Sequence, residues 1–279
     1  MTAAPKACVI GWPARHSRSP VIHGHWLERH GLQGSYTAED VAEDDLAAFV
    51  RGLREEPWRG CNVTVPHKVT AASLVDRLDE AAQALGAVNT IWREDGELVG
   101  GNTDGYGFLA SLDEGAPGWD EDLAHAVVLG AGGAARAIVH GLSGRGARRI
   151  SVVNRNAERA NELASQVAGP VEVAGWGDVQ ALLVDADLLV NTTSLGMEGK
   201  PSLEMSISEL PPRAVVSDIV YVPLETELLR TARARELRTV DGLGMLLHQA
   251  VPGFERWFGV RPQVDQELRR RVVATLEAR

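Results

Sequence analysis

The sequence predicts an α/β protein of two domains. Three observations carry that prediction. The 279 residues suffice for two domains of ordinary size, the first third alternates short apolar runs with helical patterns, and a strand–glycine–helix unit opens near residue 126. Cys8-Val9-Ile10-Gly11 reads as the first strand. Ser19-Pro20 supplies an N-cap and first-turn pair for a helix ending near Gly31. A strand is expected at 35–38, a helix at 44–54 and a strand at 61–65. Asp95-Gly96, between apolar runs at 88–92 and 97–99, is a hairpin signal.

The second half is more regular. The run 126–129 reads as a buried strand, followed by glycines and a helix to about 142. A strand at 149–153, a helix at 157–167, strands at 188–190 and 214–219 and a helix near 225–235 follow. After Asp241-Gly242-Leu243-Gly244 one helix is expected to run to about 258, and a last amphipathic helix near 262–277. The acidic stretch 113–122 reads as a loop, but the domain boundary is placed earlier, near Gly105, because the helix beyond it can bridge two domains.

Composition excludes several classes. With 44% hydrophobic and 24% charged residues the chain has the balance of a soluble globular protein. A net charge of -10 argues against general affinity for nucleic acid. No apolar run approaches the roughly 20 residues of a membrane span, and the N-terminus lacks a secretory signal's basic segment and apolar core. Cys8 and Cys61 make no disulfide framework, so a reducing, cytoplasmic setting is expected. No histidine or cysteine spacing suits a metal, and without a Gly-x-Ser-x-Gly elbow His16-Ser17 is no hydrolase nucleophile. The cluster Glu39, Asp40, Glu43, Asp44 and Asp45 reads as a solvated helix start favoured by the macrodipole, without a function.

Gly60-Cys61-Asn62-Val63-Thr64-Val65-Pro66-His67-Lys68 ends an apolar run in polar side chains. Strand alternation predicts that Asn62 and Thr64 project together, Pro66 ends the pairing, and Lys68 opens the next helix. Two hydrogen-bonding groups and one amine suit a small polyol or sugar-like substrate; the alternative is an edge strand with a surface lysine. Ser17 and Ser19, in a loop before a helix, can receive a carboxylate, although Ser19 also suits a plain N-cap. Asn89 is presented in a strand, Asp104 either acts as a carboxylate or caps a helix, and Gln249 lies in an otherwise apolar helix, where a buried amide needs a partner.

Gly130-x-Gly132-x-x-Ala135, after a strand and opening a helix, fits a dinucleotide fingerprint. Gly130 permits the tight turn, Gly132 the approach of a pyrophosphate, and the helix N-terminus supplies partial positive charge. Where an NAD site places Asp or Glu, this chain has Asn154-Arg155-Asn156, with Arg159 a turn further on. An arginine fork suits a 2′-phosphate, which favours NADP. The alternative is surface arginines at a helix start.

With these motifs, and with Gly86-Ala87-Val88-Asn89-Thr90, Asn102-Thr103-Asp104-Gly105, Asn191-Thr192-Thr193-Ser194-Leu195-Gly196-Met197 and Asp241-Gly242-Leu243-Gly244-Met245-Leu246, the chain resembles the shikimate dehydrogenases over nearly its whole length. The resemblance implies an open α/β catalytic domain and a Rossmann-type dinucleotide-binding domain with a cleft between them. On that reading residues 1–105, completed by 242–279, form the substrate-binding domain, and 106–241 the NADP-binding domain. It implies NADP-linked reduction of 3-dehydroshikimate to shikimate; the partner expected is this small-molecule substrate, with the chain a monomer or homodimer.

By the same resemblance Ser17 and Ser19 would hold the substrate carboxylate. Thr64, Asn89, Asp104 and Gln249 would bind ring hydroxyls, with Asn62 and Tyr221 lining the pocket. Lys68 would be the proton donor, oriented by Asp104. Gly130, Ala131, Gly132, Gly133 and Ala134 would cradle the pyrophosphate, and Asn154, Arg155 and Arg159 the 2′-phosphate. Glu80, Ile219 and Gly242 match positions near the nicotinamide. Two departures stand out. Gly24 replaces a common Asn after His23, which would alter the pocket wall, and Asn156 replaces a threonine of the NADP motif. A quinate/shikimate enzyme of broader specificity and an idle NADP-binding sensor are the alternatives.

Overall fold

The computed structural model describes residues 3–277. In chain order the first elements are β1 (Lys6–Gly11), α1 (Ser19–Arg29), β2 (Ser35–Asp40), α2 (Leu46–Gly52), β3 (Trp58–Val63), α3 (Lys68–Ala72), β4 (Arg77–Leu78), α4 (Glu80–Leu85), β5 (Thr90–Glu94) and β6 (Glu97–Gly101). They continue as α5 (Asp104–Gly115), β7 (His125–Leu129), α6 (Gly133–Gly144), β8 (Arg149–Val153), α7 (Ala157–Gln166), β9 (Val171–Ala174), α8 (Val179–Leu183), β10 (Leu188–Asn191) and β11 (Val215–Asp218). The last are α9 (Glu227–Ala234), β12 (Arg238–Val240), α10 (Gly242–His248), α11 (Ala250–Phe258) and α12 (Gln266–Glu277).

The chain forms two compact units, Met1–Thr103 with Gln249–Arg279, and Asp104–His248. The sequence places these divisions after 105 and after 241. Helix α10 accounts for the second difference: it packs on α5, where a Cβ on Gly244 would stand 2.1 Å from Ser111 Oγ. The single helix expected after Gly244 starts earlier, at Gly242, and is two helices, broken at Gln249, which is the N-cap residue of α11.

The first unit holds a six-stranded mixed sheet in the order β2-β1-β3-β5-β6-β4. Strands β2, β1 and β3 are parallel, and β3-β5-β6 are antiparallel. The β5–β6 hairpin turns at Asp95 and Gly96 with φ of 52° and 85°, as the Asp-Gly pair predicts. Alternate residues of β1 serve opposite faces. Cys8 and Ile10 pack with Leu46, Val50, Ala71 and Ala82, while Ala7 and Val9 pack with Tyr36, Trp92 and Trp257. Residues 39 and 40 extend β2, and only 43–45 form a 3-10 turn ahead of α2, so Glu39 and Asp40 are not part of a helix start.

In the second unit six parallel strands run β12-β11-β10-β7-β8-β9, the doubly wound order of dinucleotide-binding folds. Both faces are covered. Ala126 and Val128 pack with Ile138, Val139 and Leu163, and Val127 and Leu129 with Val179, Leu183 and Leu229. This is why 126–129 is uniformly apolar rather than alternating. Each fully buried Val or Leu contributes about 1.5–3 kcal/mol, and a polar residue in mid-strand has no wet face to use.

Candidate active site

In the first unit, β1 ends at Gly11, where Thr64 leaves no room for a side chain: a Cβ there would lie 2.6 Å from Thr64 Cγ2. The chain then turns, Ser17 N–H donating to Ala14 O (2.9 Å), and enters α1. Arg18, not Ser19, is the N-cap residue, and its side chain makes no cap bond. Ser17 does the capping: its Oγ accepts from Ser19 N–H (3.2 Å) and donates to Ser19 Oγ (3.1 Å). Two linked hydroxyls thus stand at the positive end of an 11-residue helix, which suits a carboxylate. Gly24 is exposed on α1 with nothing within 4 Å of an added Cβ.

Strand β3 stops at Val63, one residue short of Thr64. Asn62 is 5% exposed and its amide is engaged on both sides. Tyr36 Oη donates to its Oδ1 (2.6 Å), and its Nδ2 donates to Asn89 O (3.2 Å) and Thr90 Oγ1 (3.1 Å). Asn89, 3% exposed, accepts at Oδ1 from Thr103 N–H (2.9 Å) and Thr90 Oγ1 (2.9 Å) and donates to Thr103 Oγ1 (3.1 Å). Thr103 Oγ1 donates to Gln249 O (2.8 Å). Asn62 therefore spends both amide hydrogens on the fold and supports Asn89 from behind. His23 stacks on Tyr36 with ring centroids 4.0 Å apart, and burial holds its pKa down to about 3, so the ring is neutral.

Lys68 is the first residue of α3, as expected, and is half-buried. Two anchors fix that corner. Lys68 O accepts from Val88 N–H (2.8 Å), and the buried His67 Nε2–H donates to Val41 O (2.7 Å). The backbone continues the tie, with Thr64 N–H on Ile10 O (2.9 Å) and Trp12 N–H on Val65 O (3.1 Å). Glu80 opens α4 and is exposed; its neighbour Asp79 caps that helix by accepting Ala82 N–H at 2.7 Å.

In the second unit Asp104 opens α5 and Tyr221 follows β11, both half-buried. The loop after β11 is organised by Asp218, 1% exposed, which accepts from Asn191 Nδ2 (3.0 Å), Val220 N–H (3.0 Å) and Thr226 Oγ1 (2.8 Å). Burial raises the Asp218 pKa, and those three donors oppose the rise. Ile219 and Gly242 meet directly: a Cβ on Gly242 would lie 2.2 Å from Ile219 O.

The glycine turn fits a dinucleotide. Gly130 sits at φ +109°, where an added Cβ would also strike Thr192 Oγ1 at 2.5 Å. Gly132 and Gly133 have nothing within 4 Å of an added Cβ, so the amides opening the 12-residue α6 face an open cradle beside Ala131 and Ala134. At the end of β8, Asn156 is the N-cap of α7, accepting Arg159 N–H at 3.1 Å, and Asn154 Nδ2 donates to Asn156 O at 2.8 Å. Asn156 thereby shapes the turn, and Arg155 and Arg159 stand exposed on it.

Sequence reading missed Tyr36, Thr90, Thr103 and His67. A strand aromatic such as Tyr36 reads as core filler, and its hydroxyl reaches Asn62 from a strand two places away in the sheet. Among the described residues no group of His, Cys, Asp and Glu could hold a metal ion, and no helix is long and apolar enough to cross a membrane.

Residues 9–91 match the shikimate dehydrogenase substrate binding domain, 119–220 the shikimate / quinate 5-dehydrogenase family and 242–266 the shikimate 5'-dehydrogenase C-terminal domain. A shikimate dehydrogenase (NADP(+)) of Mesorhizobium japonicum is 57% identical over 98% of either chain. The shikimate 5-dehydrogenase of Thermus thermophilus, solved with NADP(H) and shikimate, superposes with a TM-score of 0.85 at 34% identity over 98% of this chain and 99% of that one. A quinate dehydrogenase of Corynebacterium glutamicum, solved with NAD, gives 0.88 at 30% identity over 98% and 99%.

Proposed function

The chain belongs to the shikimate dehydrogenase family, and from that premise we propose that it catalyses the reversible NADP-linked reduction of 3-dehydroshikimate to shikimate. The observation that carries the proposal is the polar constellation of the first unit: paired hydroxyls at the head of α1, a braced Asn89, and Lys68 at the head of α3. That set suits a small carboxylated polyol.

We assign the substrate carboxylate to Ser17 and Ser19, ring hydroxyls to Thr64, Asn89, Asp104 and Gln249, and a further substrate contact to Tyr221. When bound, NADPH supplies the hydride that reduces the substrate carbonyl carbon. Lys68 donates a proton to the carbonyl oxygen as negative charge develops there, and its own charge stabilises that oxygen before transfer. In the reverse direction the neutral amine takes the proton back. The pyrophosphate is assigned to the amides of Gly130–Ala134, the 2′-phosphate to Arg155, Arg159 and Asn154, and the nicotinamide end to Ile219, Gly242 and Glu80. The free, buried Cys8 and Cys61, partners in register on β1 and β3, support a reducing cytoplasmic compartment.

The deciding experiment is shikimate-dependent reduction of NADP by purified protein, with NAD and quinate as parallel substrates. Turnover confined to shikimate with NADP is expected. Comparable rates with quinate or NAD would move the assignment to a broader dehydrogenase, and NADP binding without turnover would remove the enzymatic reading.

A further inference from the structure

Asp40 ends β2, in register with Gly11 at the end of β1. Its carboxylate reaches over the loop that leaves β1. Oδ1 accepts from Ala14 N–H at 2.6 Å and Arg15 N–H at 3.2 Å, and Oδ2 lies 3.6 Å from the exposed Arg15 Nε. The Ala14 amide, chiefly, holds the Asp40 pKa below the usual carboxylate range. From there an unbroken chain runs to the serines: Ala14 O accepts Ser17 N–H, and Ser17 Oγ accepts Ser19 N–H. The next residue, Val41, ties the other end. Its N–H donates to Gly11 O at 3.0 Å, and its O accepts from His67 Nε2, one residue before Lys68.

We infer that the Asp40–Val41 corner is a positioning element for the reaction, with Asp40 setting the serine loop that receives the substrate carboxylate and His67 setting the lysine helix against it. Neither side chain is asked to touch substrate. An anion beside an anion-binding loop opposes the substrate electrostatically, so its place there is explained by the two amides it fixes rather than by charge attraction. The inference rests on the carboxylate reading of Ser17 and Ser19.

The two arms of the corner predict different kinetic signatures. Asp40→Ala frees the Ala14 and Arg15 amides and is expected to raise the shikimate KM about tenfold, with kcat within about twofold and the NADP KM unchanged. Asp40→Asn keeps an acceptor at Oδ1 and is expected to restore most of the affinity. An analogue of shikimate lacking the carboxylate, used as a competitive inhibitor, is expected to bind wild type and Asp40→Ala alike. His67→Phe, which keeps the ring but not the bond to Val41 O, is expected to lower kcat more than it changes KM. An Asp40→Ala KM within twofold of wild type, equal weakening toward the analogue, or an Asp40→Asn variant as impaired as the alanine overturns the role. Ser17→Ala run in parallel separates the two readings. An unmoved KM there removes the carboxylate assignment and the positioning role with it, whereas a raised KM beside a normal Asp40→Ala removes the positioning role alone.

Discussion

The two units build their sites from different material. In the first, side chains hold side chains: Tyr36, Asn62, Asn89, Thr90 and Thr103 are all buried and bonded to one another. In the second, the cradle is backbone, an open glycine turn at the head of α6, and its charged groups, Arg155 and Arg159, stand in solvent. The difference follows from the ligands proposed for each. A small ring with several hydroxyls is distinguished only by donors and acceptors fixed in place, and burial with full satisfaction fixes them. A pyrophosphate offers many equivalent oxygens, which amides and a helix dipole satisfy without side-chain precision.

The contrast can be broken by mutation. Lys68→Ala has the largest expected effect, a loss of kcat on the order of 10² or more with NADP affinity intact. Near-normal turnover, with only weaker shikimate binding, would take Lys68 out of the chemistry. In the second unit, Arg155→Ser is expected to raise the NADP KM about ten- to a hundredfold while leaving NAD nearly unchanged, since the 2′-phosphate is the group proposed for the guanidinium. Gly130→Ala, by contrast, should weaken both nucleotides alike, because it strains a backbone they share. If the two variants behave identically, the division between backbone cradle and charged selector fails.

Smaller effects test the buried network. Tyr36→Phe removes the hydroxyl that holds Asn62 Oδ1 and is expected to cost about 1–3 kcal/mol of stability, together with a several-fold rise in shikimate KM. Unfolding and kinetics on one preparation would show whether both move. A stability loss with unchanged KM would reduce the network to a core feature.

A separate test is a pH slope. Burial holds the folded-state His23 pKa to about 3, against 6.5 for the free ring, so the unfolded chain binds the extra proton between those values. Stability contributed by neutral His23 is therefore complete above about pH 6.5 and falls as the pH drops toward 3, by up to about 1.4 kcal/mol per unit. His23→Phe should flatten that part of the unfolding profile. An unchanged slope would assign it to other groups.

What was legible in the sequence follows from local chemistry. The glycine turn, the uniformly apolar 126–129, the Asp95-Gly96 hairpin and Lys68 at a helix start each depend on residues within a few positions of one another. Period, turn residues and helix breakers carry that information directly. Tertiary structure decided the rest. Ser19 is a legitimate cap by local rules, yet Ser17 Oγ accepts the Ser19 amide instead, in a loop whose Ala14 amide is held by Asp40, 26 residues away. Asn62 looks like a pocket residue until Tyr36 and Asn89, 26 and 27 residues away, claim its amide. Asp40 itself read as one acid in a solvated cluster. A hydrogen-bonding side chain declares its type in sequence but not its partner, and the partner arrives only when the strands are laid side by side.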